Sequence, residues 1–129
     1  MTTRRFFIQG IVALSGASFA QTAFAGGHGR LGKFKGASNH TTSGTAELVK
    51  SGTGGTVELL DDFYLDGAPD PKVALGKDGY DKSTLMGKLK STSGASSYQL
   101  PDGVNPDDYN EIWIWCERFN VPLGVAKLG

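Results

Sequence analysis

Cysteine is all but missing from this chain of 129 residues: Cys116 is the only one. A single thiol excludes an intramolecular disulfide, and it excludes a zinc or iron–sulfur centre built from the cysteines of one chain. A surplus of one charge is missing too, since 13 basic side chains face 13 acidic ones. That balance argues against nucleic acid as a partner, because binding phosphates needs a basic patch. No stretch keeps a sustained three-four apolar spacing, so no long helix is expected. No internal repeat is present, and none of Gly-x-Ser-x-Gly, a phosphate loop or His-Glu-x-x-His occurs. A conventional enzyme with its own substrate turnover therefore ranks behind other classes. What is there is 39% hydrophobic residues, enough for a core, and 19 glycines against five prolines, which indicates many turns. The length suits one compact domain.

Residues 1–25 read as a signal peptide. Arg4 and Arg5 precede an apolar middle that ends in Ala23-Phe24-Ala25, a small-x-small cleavage site. The run Ile11–Ala20, interrupted by Gly16 and two serines, is too short and weak to span a hydrocarbon core of about 30 Å. Thr3-Arg4-Arg5-Phe6-Phe7-Ile8 resembles a twin-arginine export signal, with Gln9 where a lysine is usual. That resemblance implies a chain exported already folded to the periplasm or beyond, with no membrane span after cleavage. The mature chain, from Gly26, has 11 basic and 13 acidic side chains and a net charge of about −2.

Residues 26–31 are expected to form a flexible lead, and 32–129 a single domain. Short runs separated by Gly, Ser, Asp, Asn and Pro fill it: Leu31–Gly36, Thr45–Lys50, Thr56–Leu60, Phe63–Leu65, Lys72–Leu75, Thr84–Leu89 and Ser97–Leu100. Gly52–Gly55 joins the second and third as a hairpin, because glycine accepts the positive φ of a tight turn. Pro106–Asn110 suits a one-turn helix capped by Asn105. Glu111–Cys116 is β-branched and aromatic, with Ile112, Ile114 and Cys116 on one face and Trp113 and Trp115 on the other. Apolar on both faces, it should be a central strand. In Phe119–Leu128, Phe119, Val121, Leu123 and Val125 alternate onto one face, and Pro122 should mark an edge or bulge. About eight short strands at this spacing predict an all-β fold, a small antiparallel sandwich or barrel.

An ordered set of pieces gives the domain a family likeness. Gly32-Lys33-Phe34, His40 with Gly44, Gly55-Thr56-Val57-Glu58, Gly67-Ala68-Pro69-Asp70, Leu85–Lys90, Tyr98-Gln99-Leu100-Pro101, Ile112–Cys116 with Phe119, and Gly124–Leu128 follow one another. Together they resemble the DM-thirteen, or electron-transfer DM-thirteen, domain from about Gly32 to Leu128. Leu123 departs from a frequent aromatic, and Ser96-Ser97 from a more polar pair. The resemblance implies a β-rich extracytoplasmic domain with one characteristic cysteine and a redox role. With no room here for a companion domain, the expected partner is another protein, such as an extracytoplasmic redox protein.

Cys116 is the chief candidate for chemistry. It is a small buried hydrophobe, inert in apolar surroundings, a group at the strand's rim, or one half of an intermolecular disulfide. At the rim, Arg118 could stabilise its thiolate for reversible oxidation or for ligation of copper or a haem iron. His40, in the polar turn Ser38–Thr42, is either a solvated loop residue or a second ligand beside Cys116. A blue-copper set is disfavoured, because no His or Met follows Cys116 and Met86 suits the core. Trp113 and Trp115 are core or, alternatively, the wall of a cofactor site. The many aspartates sit beside Gly or Pro as turn formers, without calcium-loop spacing. The leading expectation is an exported redox accessory centred on Cys116. The alternative is a non-catalytic binding or adhesion module in which Cys116 only packs.

Overall fold

The structure is a computed structural model, and it describes residues 29–129. Residues 1–25, read from the sequence as a signal peptide with Arg4 and Arg5, lie outside the described residues.

The domain is all-β. Its strands are β1 (Gly29–Gly36), β2 (Thr42–Ser43), β3 (Thr45–Ser51), β4 (Gly54–Leu59) and β5 (Tyr64–Leu65). They continue as β6 (Pro71–Gly76), β7 (Tyr80–Asp81), β8 (Ser96–Gln99), β9 (Glu111–Cys116) and β10 (Val121–Lys127). Eight of them form one antiparallel sheet in the order β7-β6-β9-β10-β1-β3-β4-β8, while β2 and β5 pair separately. β1 turns the corner of the curled sheet. Its first residues, Gly29 to Lys33, pair with β3, and Phe34 to Gly36 pair with β10. Strand pairing thus starts at Gly29, so Gly29–Leu31 belong to the sheet rather than to the flexible lead expected for residues 26–31.

The sheet's two ends are drawn together by the segment after β7. Met86 and Leu89 donate backbone N–H groups to Val73 and Pro71 of β6, and Ser93 bridges Tyr64 before the chain enters β8. Thr84–Leu89 is therefore not a ladder strand. It starts in a one-turn 3-10 helix, Lys82–Thr84, whose Thr84 hydroxyl binds the Leu75 backbone. The hairpin β3–β4 and the single turn Pro106–Asp108, capped by the Asn105 side chain, form where the sequence placed them.

One apolar cluster fills the curl: Phe34, Leu48, Leu59, Phe63, Leu75 and Ile114 are among its members. Phe34 and Phe63 meet edge to face with centroids 5.4 Å apart, a geometry favoured by the ring quadrupoles. β9 is central, between β6 and β10, as its apolar faces required. The register slips between Ile114 and Trp115, where Gly124 and then Pro122 are the partners. Pro122 thus marks a bulge, and the bulge breaks the expected alternation: Leu123 and Ala126 reach the core, whereas Val125 lies opposite Trp113 and Phe119 is 61% exposed. The kink is held by the Thr42 hydroxyl, which donates to the Leu123 carbonyl at 2.8 Å.

Candidate functional site

Cys116 is the last residue of β9. Its register partners are Val121 and Pro71, and its side chain, 1% exposed, joins Ile112 and Ile114 in the core. It is a free thiol. The strand alternation of period two puts it inside. The exposed turn Glu117–Asn120 follows at once, and the Glu117 N–H is tied to the Asp70 carbonyl. Arg118 lies on that turn, so the thiol is one residue from the surface and covered.

His40 is half-buried, in the turn after β1. Ser38 and Asn39, both at positive φ (56° and 63°), form a tight turn closed by the His40 N–H on the Ala37 carbonyl. His40 Nδ1 lies 2.8 Å from an Asp66 carboxylate oxygen, and the Thr41 N–H donates to the other at 2.9 Å. These bonds, the Thr41 one first, hold the Asp66 carboxyl below the ordinary carboxylate range. A carboxylate on Nδ1 orients an imidazole and leaves Nε2 as its free nitrogen. The structure thus gives the two candidate ligands different company: His40 pairs with Asp66, and Cys116 packs among apolar side chains.

Trp113 and Trp115 do come together, and not in the main core. They lie half-buried on the outer face of β9. Their ring centroids are 5.8 Å apart at 78°, and Tyr80 stacks on Trp115 at 3.8 Å and 10°. Both indole N–H groups are bound within the chain, Trp113 to Glu111 and Trp115 to Asn120. The buried Glu111 also accepts the Gly79 N–H at 2.8 Å, which fixes the β6–β7 turn against the ring. Gly76 is needed beneath: a Cβ there would fall 2.4 Å from Trp113 Nε1 and 2.2 Å from the Gly79 carbonyl oxygen. Lys72 bridges Asp70 and Glu117 at the rim, and Glu117 in particular holds its ammonium above the ordinary lysine range. Burial, then the charges of Glu117 and Asp81, push the Tyr80 phenol up. Tyr80, Glu111 and Asn120 went unnoticed in the sequence. Tyr80 follows Asp78-Gly79 in a two-residue strand that no periodicity announces.

The donors of the described residues do not assemble into a multi-ligand metal centre. Among the described residues no group of three or more His, Cys, Asp and Glu side chains is placed to hold a metal ion. Met86 packs against the core, as expected of it. A cleft of about 220 Å³ lined by Arg30, Leu48, Lys50 and Pro106 offers no sulfur or imidazole. It is also smaller than the roughly 300–1,000 Å³ of usual small-molecule sites.

Comparison with known families decides the membership. Residues 33–128 match the family described as Electron transfer DM13. The chain belongs to the DM13 family. No curated protein and no solved structure matches it significantly. DM13 is an electron-transfer domain by that description, so a redox role holds at the level of the family. Its matched region runs from the second half of β1 through β10 and includes Cys116, His40 and the aromatic layer. Among the described residues no helix is long and apolar enough to cross a membrane.

Proposed function

We propose that this DM13 chain is an exported electron-transfer accessory whose redox-active group is the Cys116 thiol. It serves a redox protein partner outside the cytoplasm and turns over no substrate of its own. Arg4 and Arg5 support export by the twin-arginine route. The observation that carries the reading is the place of Cys116, the one thiol of a chain in an electron-transfer family, at the end of β9 and one residue from an exposed turn. Strand ends open at far less cost than whole domains unfold, so release of the Cys116–Val121 pair admits a reactant. The thiol is protected between encounters and reacts when the turn opens.

The burial of Cys116 favours a second reading, a binding or adhesion module in which the sulfur is packing. The two part in a simple comparison. The first expects the folded protein to react with a thiol oxidant at a rate set by local opening, and the Cys116→Ser protein to fold and lose all redox response. A redox response unchanged in Cys116→Ser overturns it. A visible spectrum of the exported protein, taken before and after dithionite, completes the test. No band is expected, and a band that shifts on reduction would move the redox centre from the thiol to a bound chromophore.

A further inference from the structure

The two indoles on the outer face of β9 differ in what receives their N–H. Trp113 Nε1 donates to a carboxylate oxygen of Glu111 at 3.1 Å, and Trp115 Nε1 donates to the side-chain oxygen of Asn120 at 3.2 Å. A carboxylate at hydrogen-bond distance can take up a proton, whereas a side-chain amide oxygen accepts a hydrogen bond without taking the proton. Glu111 is 4% exposed, and its Oε1 also accepts the Gly79 N–H at 2.8 Å, so the acceptor is fixed in place. The rings themselves are in contact. Tyr80 lies flat on Trp115 at 3.8 Å, and Trp115 meets Trp113 edge to face at 5.8 Å, inside the roughly 4.5–7 Å range of aromatic pairs. These are the only two tryptophans of the chain.

An indole that loses an electron becomes a strong acid at its N–H, so the place where the proton can leave decides where the electron hole rests. We propose that the aromatic layer is a one-electron redox site: Tyr80 and Trp115 receive the hole, and Trp113, with Glu111 as its proton acceptor, holds it. A one-electron oxidant of high potential, of the class of a metal complex in its upper oxidation level, takes one electron from the Tyr80–Trp115 stack and is itself reduced by one. Trp115, then a radical cation, takes an electron from Trp113. The Trp113 N–H bond breaks, and its proton passes along the existing hydrogen bond to Glu111 Oε1. A neutral indolyl radical is left beside a neutral carboxylic acid. A one-electron reductant such as ascorbate returns the electron, and Glu111 returns the proton. Trp115 does not end the sequence, because Asn120 holds its N–H without taking the proton. The site uses no thiol and adds a second redox group to the one proposed at Cys116.

The test treats the purified protein with hexachloroiridate(IV), a one-electron oxidant, and locates the oxygenated tryptophans by peptide fragmentation in a mass spectrometer. A proton acceptor worth one pKa unit to the Trp113 radical biases the hole about tenfold. Products in the folded wild type should therefore favour Trp113 over Trp115 at least about tenfold, although both indoles are half-buried. The bias should vanish in urea. Glu111→Gln keeps a hydrogen-bond acceptor but not the base, and should lose the bias while folded. Trp113→Phe should leave the product on Trp115. The comparison of two indoles within the wild type needs no variant, so a misfolded Glu111→Gln protein would not rescue the proposal. Equal oxidation of the two in the folded wild type, an excess at Trp115, a bias that persists in urea, or a bias unchanged in folded Glu111→Gln overturns it. The same bias is expected in Cys116→Ser, so the fate of this site is separate from that of the thiol.

Discussion

Tyr80 and Trp115 stack at 3.8 Å from the two strands that flank β6, and the wholly buried Ala74 lies on that strand between them. The outer face of the sheet therefore carries an aromatic layer over a small residue. Ala74→Leu should wedge the layer apart and cost about 1–3 kcal/mol, the usual penalty of overpacking. Tyr80→Ala should cost about 0.5–1.5 kcal/mol beyond its lost area, the worth of an aromatic pair. Urea unfolding measures both, and near-ultraviolet circular dichroism should report the loss of the stack. An Ala74→Leu protein as stable as the wild type would show that the layer is loose.

Cys116 should be quiet in the native state and reactive on opening. Its alkylation by iodoacetamide should be slow in buffer and accelerate with sub-denaturing urea well before global unfolding. Cys116→Ser places a hydroxyl in an apolar cluster and should cost about 1–3 kcal/mol. Alkylation that tracks global unfolding alone would tie the thiol to the core and support the binding-module reading.

The bulge depends on Thr42. Thr42→Val removes the hydroxyl that reaches the Leu123 carbonyl, which keeps the Ala37 N–H, so the loss of one hydrogen bond should cost about 0.5–1.5 kcal/mol. Gly124→Val should cost more, because a Cβ at 124 already falls 2.7 Å from the Thr42 Cβ. Thermal unfolding of the two variants checks the order.

Stability should fall at both ends of the pH scale. Hydrogen bonds from Thr45 to Asp62, from Thr41 and His40 to Asp66, and from Ser83 to Asp81 hold these carboxyls low. Their contribution is present above the unfolded value near 3.9 and is lost as pH drops through the folded values. Lys72 is held up by Glu117, and Tyr80 and Tyr109 chiefly by burial. A raised folded pKa gives stability that is complete below the unfolded value, about 10 for Tyr and 10.4 for Lys, and lost as pH climbs past it. Urea midpoints against pH should show a plateau with both limbs falling, and Asp62→Asn should flatten the acid limb. An acid limb unchanged in that variant would contradict the assignment.

Much of the fold was legible because the signals were local. The β3–β4 hairpin came from its glycines, the turn at Pro106 from Asn105 and proline, and β9 from five consecutive apolar positions, Ile112–Cys116, bounded by charge and turn. What was hidden depends on contacts distant in sequence. Thr84–Leu89 looked like a strand, but Thr84 spends its hydroxyl on Leu75 and only Lys72–Lys88 forms a bridge. The alternation from Phe119 to Val125 was real in sequence and was broken by one extra residue at the bulge. Of the candidate site, the inward face of Cys116 followed from period two. The company of Trp115 did not, because Tyr80 arrives from a strand two places away in the sheet.

The most direct test of Cys116 as the redox group holds the purified protein in glutathione buffers of graded potential and reads its intact mass. Oxidised glutathione and the thiol exchange to give a mixed disulfide and one reduced glutathione. A folded protein that gains and releases one glutathione reversibly at Cys116, with none taken by Cys116→Ser, is the expected result. A Cys116 that stays a free thiol across the whole range while the domain remains folded would contradict it.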